Sequence, residues 1–90
     1  MRYSWDEAKR QRNLKRHGLD FADAPLVFAG LTYTFEDDRL AYHEERFVTL
    51  GLLRGRAVSI IHTETAYEIA IISFRKATRR EQKLYVDATS

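Results

Sequence analysis

The chain has 90 residues, 44% of them apolar, with one Pro and no Cys. That supports a single small domain, 1–90, and argues against disorder, a disulfide framework, a thiolate metal site or a cysteine nucleophile. The formal net charge of +2 conceals a segregation: residues 1–17 carry six Lys/Arg against two acids, residues 75–90 five against two, and residues 18–74 four against nine. If folding brings the basic ends together, they form one positive patch.

Residues 3–6 read either as a short edge strand or as the lead-in to a helix. Ser4-x-x-Glu7 is a capping-box pattern, with Asp6 as a rival N-cap. The helix runs to about His17, and Gly18 is a natural residue to close it. Its apolar face is thin (Trp5, Ala8 and Leu14), and Lys9, Arg10, Arg12, Lys15 and Arg16 cover the rest. Residues 19–28 read as a second helix, with Asp20 as candidate N-cap and Phe21, Ala24, Val27 and Phe28 as its apolar stripe. Pro25 means that this helix starts late, near Asp23, or kinks. Leu31, Tyr33 and Phe35 alternate with Thr32 and Thr34, the period of a strand. A turn follows at 36–39, then a connection at 40–44 that the pattern leaves unassigned. Strands follow at 45–50, 56–62 and 67–74, with turns within 51–55 and 63–66. Connections this short impose an antiparallel meander.

Residues 69–85, IAIISFRKATRREQKLY, organise the chain. A buried strand passes directly into Arg75, Lys76, Arg79, Arg80 and Lys83, relieved only by Glu81. Thr78-x-x-Glu81 is a capping box, so a helix starts at Arg79, with Ala77, Leu84, Tyr85 and Ala88 toward the sheet. Two arginines in its first turn oppose the helix dipole, and a local rule broken this way points to function. An anion would offset the cost, since free N–H groups and arginine forks both match phosphate. The plainer reading is solvated arginines beside a core strand. The fold class expected is α+β: N-terminal helices, a four-stranded antiparallel sheet and a C-terminal helix. No apolar run approaches the ~18 residues of a membrane span, and MRYSWDEAKR lacks a signal-peptide core. This, with the lack of Cys, suits a cytoplasmic protein.

HGLDFADA at 17–24, the acidic pair at 37–38, EERF at 44–47, HTE at 62–64 and ISFRKATRREQKLY at 72–85 together resemble the BrnT family of type II toxins. The resemblance covers nearly the whole chain in order, and RKATRRE is its most specific block. It implies a RelE-like fold and a ribonuclease that blocks translation. It also implies a BrnA-type antitoxin with a ribbon-helix-helix DNA-binding domain. Toxin and antitoxin would form a hetero-oligomer that touches DNA through the antitoxin and represses its own promoter. Pro25 departs from the helix formers such a family would place there.

Metal-free RNA cleavage needs a base for the 2′-hydroxyl, an acid for the leaving oxygen and cations for the phosphorane charge. The candidates are His17, His43, His62, Glu45, Glu64, Glu68, Tyr85 and the arginines. A two-residue turn at Glu64-Thr65 would pair His62 with Tyr67. It would put His62 on the face of Arg75 but roughly 26 Å away along the ladder. Two poles result. One holds Arg75, Lys76, Arg79 and Arg80, joined by Arg54 and Arg56 from the preceding turn. The other holds His62, Glu64, Glu68 and Glu45, and its plainer reading is a solvated strand end with a surface His. The first pole suits RNA. Arg75 and Arg79 are assigned to the scissile phosphate, and Lys15, Arg54, Arg56, Lys76 and Arg80 to RNA binding. His17 is assigned to proton transfer, because a free imidazole titrates near neutral pH. Three scattered His without Cys fail the spacing of a zinc site, so no metal or other cofactor is expected. The same patch would also serve a non-catalytic nucleic-acid-binding domain or a dock for an acidic partner. Few aromatics lie among the arginines, which gives base stacking weak support.

Overall fold

The computed structural model describes residues 1–39 and 43–90, so the unassigned connection at 40–44 lies partly outside the described residues. The elements in order are β1 (Arg2–Ser4), α1 (Glu7–His17), a 3-10 turn (Phe21–Asp23), α2 (Ala24–Phe28), β2 (Tyr33–Glu36), β3 (Phe47–Leu53), β4 (Arg56–Glu64), β5 (Glu68–Lys76) and α3 (Arg79–Thr89). The fold is α+β, and β2 to β5 form the expected antiparallel meander. The sheet nevertheless has five strands rather than four and is mixed, in the order β1-β5-β4-β3-β2. β1 pairs with β5 in parallel, from Arg2 opposite Glu68 to Ser4 opposite Ala70. Three residues are too few to show alternation, and no turn announces a partner at the other end of the chain.

Local chemistry fixes the helix ends. Asp6, not Ser4, caps α1, its side chain accepting from the Lys9 N–H at 3.1 Å, because Ser4 belongs to β1. Gly18 closes the helix at φ 70°, its N–H donating to the Leu14 carbonyl. The second helix starts late. Asp20 caps the 3-10 turn, and Pro25 falls in the first turn of α2, where a missing N–H costs nothing. At the other end of the chain Thr78 and Glu81 form the capping box of α3. Gly51, read as part of a turn, lies inside β3. A Cβ there would sit 2.7 Å from Val27 Cγ1, so its bare backbone lets α2 pack on the strand. The turn itself is Arg54-Gly55, both at positive φ (49° and 81°), the pattern of a type I′ hairpin.

The sheet carries a core on each face. On one, Phe21, Ala24 and Val27 pack against Val58, Ile60, Ile69, Ile71 and Phe74. On the other, Tyr85 of α3 covers Val48 and Leu50, with Tyr33, Phe35 and Ile61 around them. Of the residues expected to face the sheet from the C-terminal end, Ala77 and Tyr85 are buried, whereas Leu84 and Ala88 are exposed. The Tyr85 hydroxyl donates to the Leu31 carbonyl at 2.8 Å, which anchors α3 over β2 and β3. Among the described residues, no helix is long and apolar enough to cross a membrane.

The β4–β5 connection corrects the expected register. Glu64 pairs with Ile69 and the Thr65 N–H donates to the Glu68 carbonyl, so the turn lies beyond Glu64-Thr65 and His62 lies opposite Ile71, not Tyr67. Arg75 lies opposite Ser59, an odd number of residues from His62 along β4. His62 and Arg75 therefore face opposite sides of the sheet, contrary to the shared face expected.

Candidate functional site

One buried side chain sets the geometry of the basic end. β1 covers only the first part of β5, leaving the edge of β5 open beyond Ala70. Asn13, 8% exposed in the middle of α1, closes that edge. Its Nδ2 donates to the Phe74 carbonyl at 2.8 Å and the Leu19 carbonyl at 2.9 Å, and the Phe74 N–H donates to its Oδ1 at 3.1 Å. The amide thus takes the place of a strand peptide. One turn further on, His17 is held beside Arg75 and Lys76.

The Arg10 guanidinium fixes the following segment, donating to both Asp20 oxygens at 2.7 and 2.9 Å and to Glu7 at 2.6 Å. The hydrogen bond from Arg10 lowers the Asp20 pKa to about 2. Arg10 is therefore a structural cation, not a free one.

The two basic ends of the sequence meet here. Arg16, His17, Arg75, Lys76 and Thr78 line an open groove of about 490 Å³. It continues along α1 into a smaller one of about 280 Å³, where Lys9, Arg12, Arg16 and His17 face Ile72 and Ser73. Lys9, Arg12 and Arg16 form a stripe at helical spacing that the site assignment from sequence left out. The groove brings His17 together with Arg75 and Lys76, a juxtaposition the sequence left open. It does not include Lys15, which is exposed and lines neither groove, because it points from a different face of α1. Arg79 and Arg80 are exposed at the start of α3 and line neither groove.

Arg75 is half committed. Its Nη1 and Nη2 donate to the two Glu81 oxygens at 2.8 and 3.0 Å, and Nη1 also reaches the Lys76 carbonyl at 3.1 Å. Glu81 also accepts from the Thr78 N–H at 2.9 Å. Burial raises the Glu81 pKa, but Arg75 and the Thr78 N–H outweigh it, and the net shift is downward. The acid in the first turn of α3 is thus spent on Arg75 of β5 and on the Thr78 N–H. Sequence reasoning treated Glu81 as a cap and missed its hold on Arg75.

The second pole is not a site of this kind. His62 is 1% exposed, a core residue rather than the surface His of the plainer reading. Its Nε2 lies 2.7 Å from Thr49 Oγ1, which lies 2.7 Å from Thr34 Oγ1, a polar file across three strands. The Phe28 and Phe47 rings flank it, at centroid distances of 5.2 and 6.0 Å. Burial pushes its pKa down to about 4, so it is neutral at physiological pH. Glu68 pairs loosely with Arg2, at 3.9 Å. Among the described residues, no group of three or more His, Asp or Glu could hold a metal ion.

Residues 5–81 match the family model described as "Ribonuclease toxin, BrnT, of type II toxin-antitoxin system". The chain belongs to the BrnT family. No curated protein matches it. The matched span runs from the lead-in to α1 through the first turn of α3, so it contains Asn13, His17, Arg75, Lys76 and Glu81. Membership in BrnT implies an RNA substrate and an antitoxin partner.

Proposed function

We propose that this BrnT protein is an endoribonuclease that cuts RNA without a metal and so inhibits translation, residues 1–90 acting as one cytoplasmic domain. The observation that supports this most directly is the groove in which His17 stands beside Arg75 and Lys76. An RNA backbone laid there has its phosphate among Arg16, Arg75 and Lys76. These cations bind the phosphorane formed by 2′-hydroxyl attack more tightly than the resting diester, which lowers the barrier. His17 takes the 2′-hydroxyl proton or returns one to the 5′-oxygen as its bond to phosphorus breaks. Glu81 holds the Arg75 fork in one orientation, so little reorganisation is needed when charge develops. Arg79 lies outside the groove lining and joins Arg56, Arg80 and Lys15 in steering flanking backbone. A BrnA-type ribbon-helix-helix antitoxin masks this face, and the complex represses its own promoter through the antitoxin's DNA contacts.

The test is cleavage of a fluorescent single-stranded RNA by purified protein in EDTA. Cutting should persist in EDTA and fall roughly a hundredfold in His17→Ala, the usual scale for loss of a proton-transfer group. Salt-sensitive binding with no cut RNA would replace the enzyme with a non-catalytic RNA-binding domain. Undiminished cutting by His17→Ala would remove that residue from the chemistry.

A further inference from the structure

On the other side of His17 and Lys76 from the phosphate groove lies a second cavity, of about 430 Å³. Its floor is Leu19, Leu53 and Val58, and its rim carries Arg54 and Arg56. We infer that it is a subsite for one unstacked nucleobase of single-stranded RNA, next to the scissile phosphate. The inference rests on reading the adjoining groove as an RNA site.

The two neighbouring hollows differ in the residue types that line them. The phosphate groove is lined only by polar and charged residues, whereas this one has an apolar floor. Its volume falls within the ~300–1,000 Å³ typical of small-ligand pockets. Arg54 lies 3.6 Å from the Asp23 carboxylate, so its guanidinium has a neighbouring acid that holds it at the rim. Imidazole and guanidinium planes at the rim stack on base faces, as single-strand readers require. The backbone points the same way. Arg54 holds φ 49° at a hairpin position that favours Asn or Gly, so its side chain is kept there against local preference. Sharing His17 and Lys76, the two hollows can take a base and its own phosphate from one nucleotide step.

The experiment uses the whole protein and a short RNA made uncleavable by 2′-O-methyl sugars, with the base removed at each position in turn. Fluorescence anisotropy should show one position where base removal weakens binding roughly 5- to 100-fold, the range expected for a stacked base. The double variant Asp23→Asn with Arg54→Asn keeps the net charge and suits the type I′ turn. In it, that position-specific penalty should shrink toward none. A wild type that binds every abasic oligomer alike overturns the inference, as does a penalty that the double variant leaves intact. If no oligomer binds, intact ones included, the RNA reading of the whole face fails, a result distinct from loss of the base subsite alone.

Discussion

At the scale of single residues, buried polar groups decide more than exposed charges. Asn13→Ala would leave the Phe74 N–H and carbonyl unpaired at the edge of β5 and release the Leu19 carbonyl. Stability should fall by about 3 kcal/mol in urea unfolding, since each buried group left without a partner costs roughly 1–3 kcal/mol. His62 makes a pH prediction. Its pKa is about 4 in the fold against an ordinary 6.5, so between these values the unfolded chain binds more protons. Stability is therefore intact above about pH 6.5 and declines as pH falls toward 4, by a total on the order of 3 kcal/mol. His62→Gln, which does not titrate, should flatten that slope when unfolding is measured at several pH values. Asp20, with its pKa lowered from 3.8 to about 2 by Arg10, loses its contribution only in that more acidic interval, so the two effects separate. Arg75→Ala is a compound test, because it also strips Glu81, 17% exposed, of its counter-charge. It should lower both cleavage and melting temperature, whereas His17→Ala should lower cleavage alone.

Elements are joined through small, specific contacts. α2 is a helix of five residues that leans on β3 at Gly51. In Gly51→Ala the new methyl meets Val27 Cγ1 at 2.7 Å and Thr32 Cγ2 at 3.3 Å. Val27 is β-branched and fully buried, so it cannot swing away. The substitution should destabilise by about 1–3 kcal/mol, the range of overpacked cores, as read by thermal unfolding. A protein as stable as wild type would show that α2 can shift on the sheet. On α3, Thr78→Ala removes the hydroxyl that accepts from the Glu81 N–H at 3.1 Å. That should cost about 1 kcal/mol. It should also loosen Arg75, since the carboxylate that holds Arg75 belongs to the same capping box.

For the whole molecule, topology turns a nearly neutral chain into a protein with one strongly basic face. α1 carries the first basic segment along the edge of β5, and β5 delivers the second to the same place. Net charge is only +2, yet Lys9, Arg12, Arg16, Arg75 and Lys76 lie along two joined grooves. Binding of single-stranded RNA should therefore weaken steeply with salt. For three or four phosphates neutralised, the logarithmic slope is about −2 to −3. Lys76→Ala should reduce that slope by a little under one unit. A slope near zero would mean that this face does not contact the backbone.

The sequence by itself determined what is decided within a few residues. Caps at Thr78–Glu81 and Gly18, the late start forced by Pro25 and the alternation at Tyr33 and Phe35 were legible, because backbone geometry sets them locally. His17, Arg75 and Lys76 stood out by charge, but that they line one groove did not. Asn13 carried a faint signal, as a poor helix former in mid-helix, but its partner Phe74 is 61 residues away. Only the tertiary structure decided that pairing, the parallel strand β1, the burial of His62 and the face on which Arg75 stands. Each depends on strand register. A turn that falls two residues beyond Glu64-Thr65, with an irregularity between Ile61 and His62, reassigned every partner along β5. Because side chains alternate between faces, a slip of one residue moves a group from one side of the sheet to the other, and nothing local in the sequence resists it.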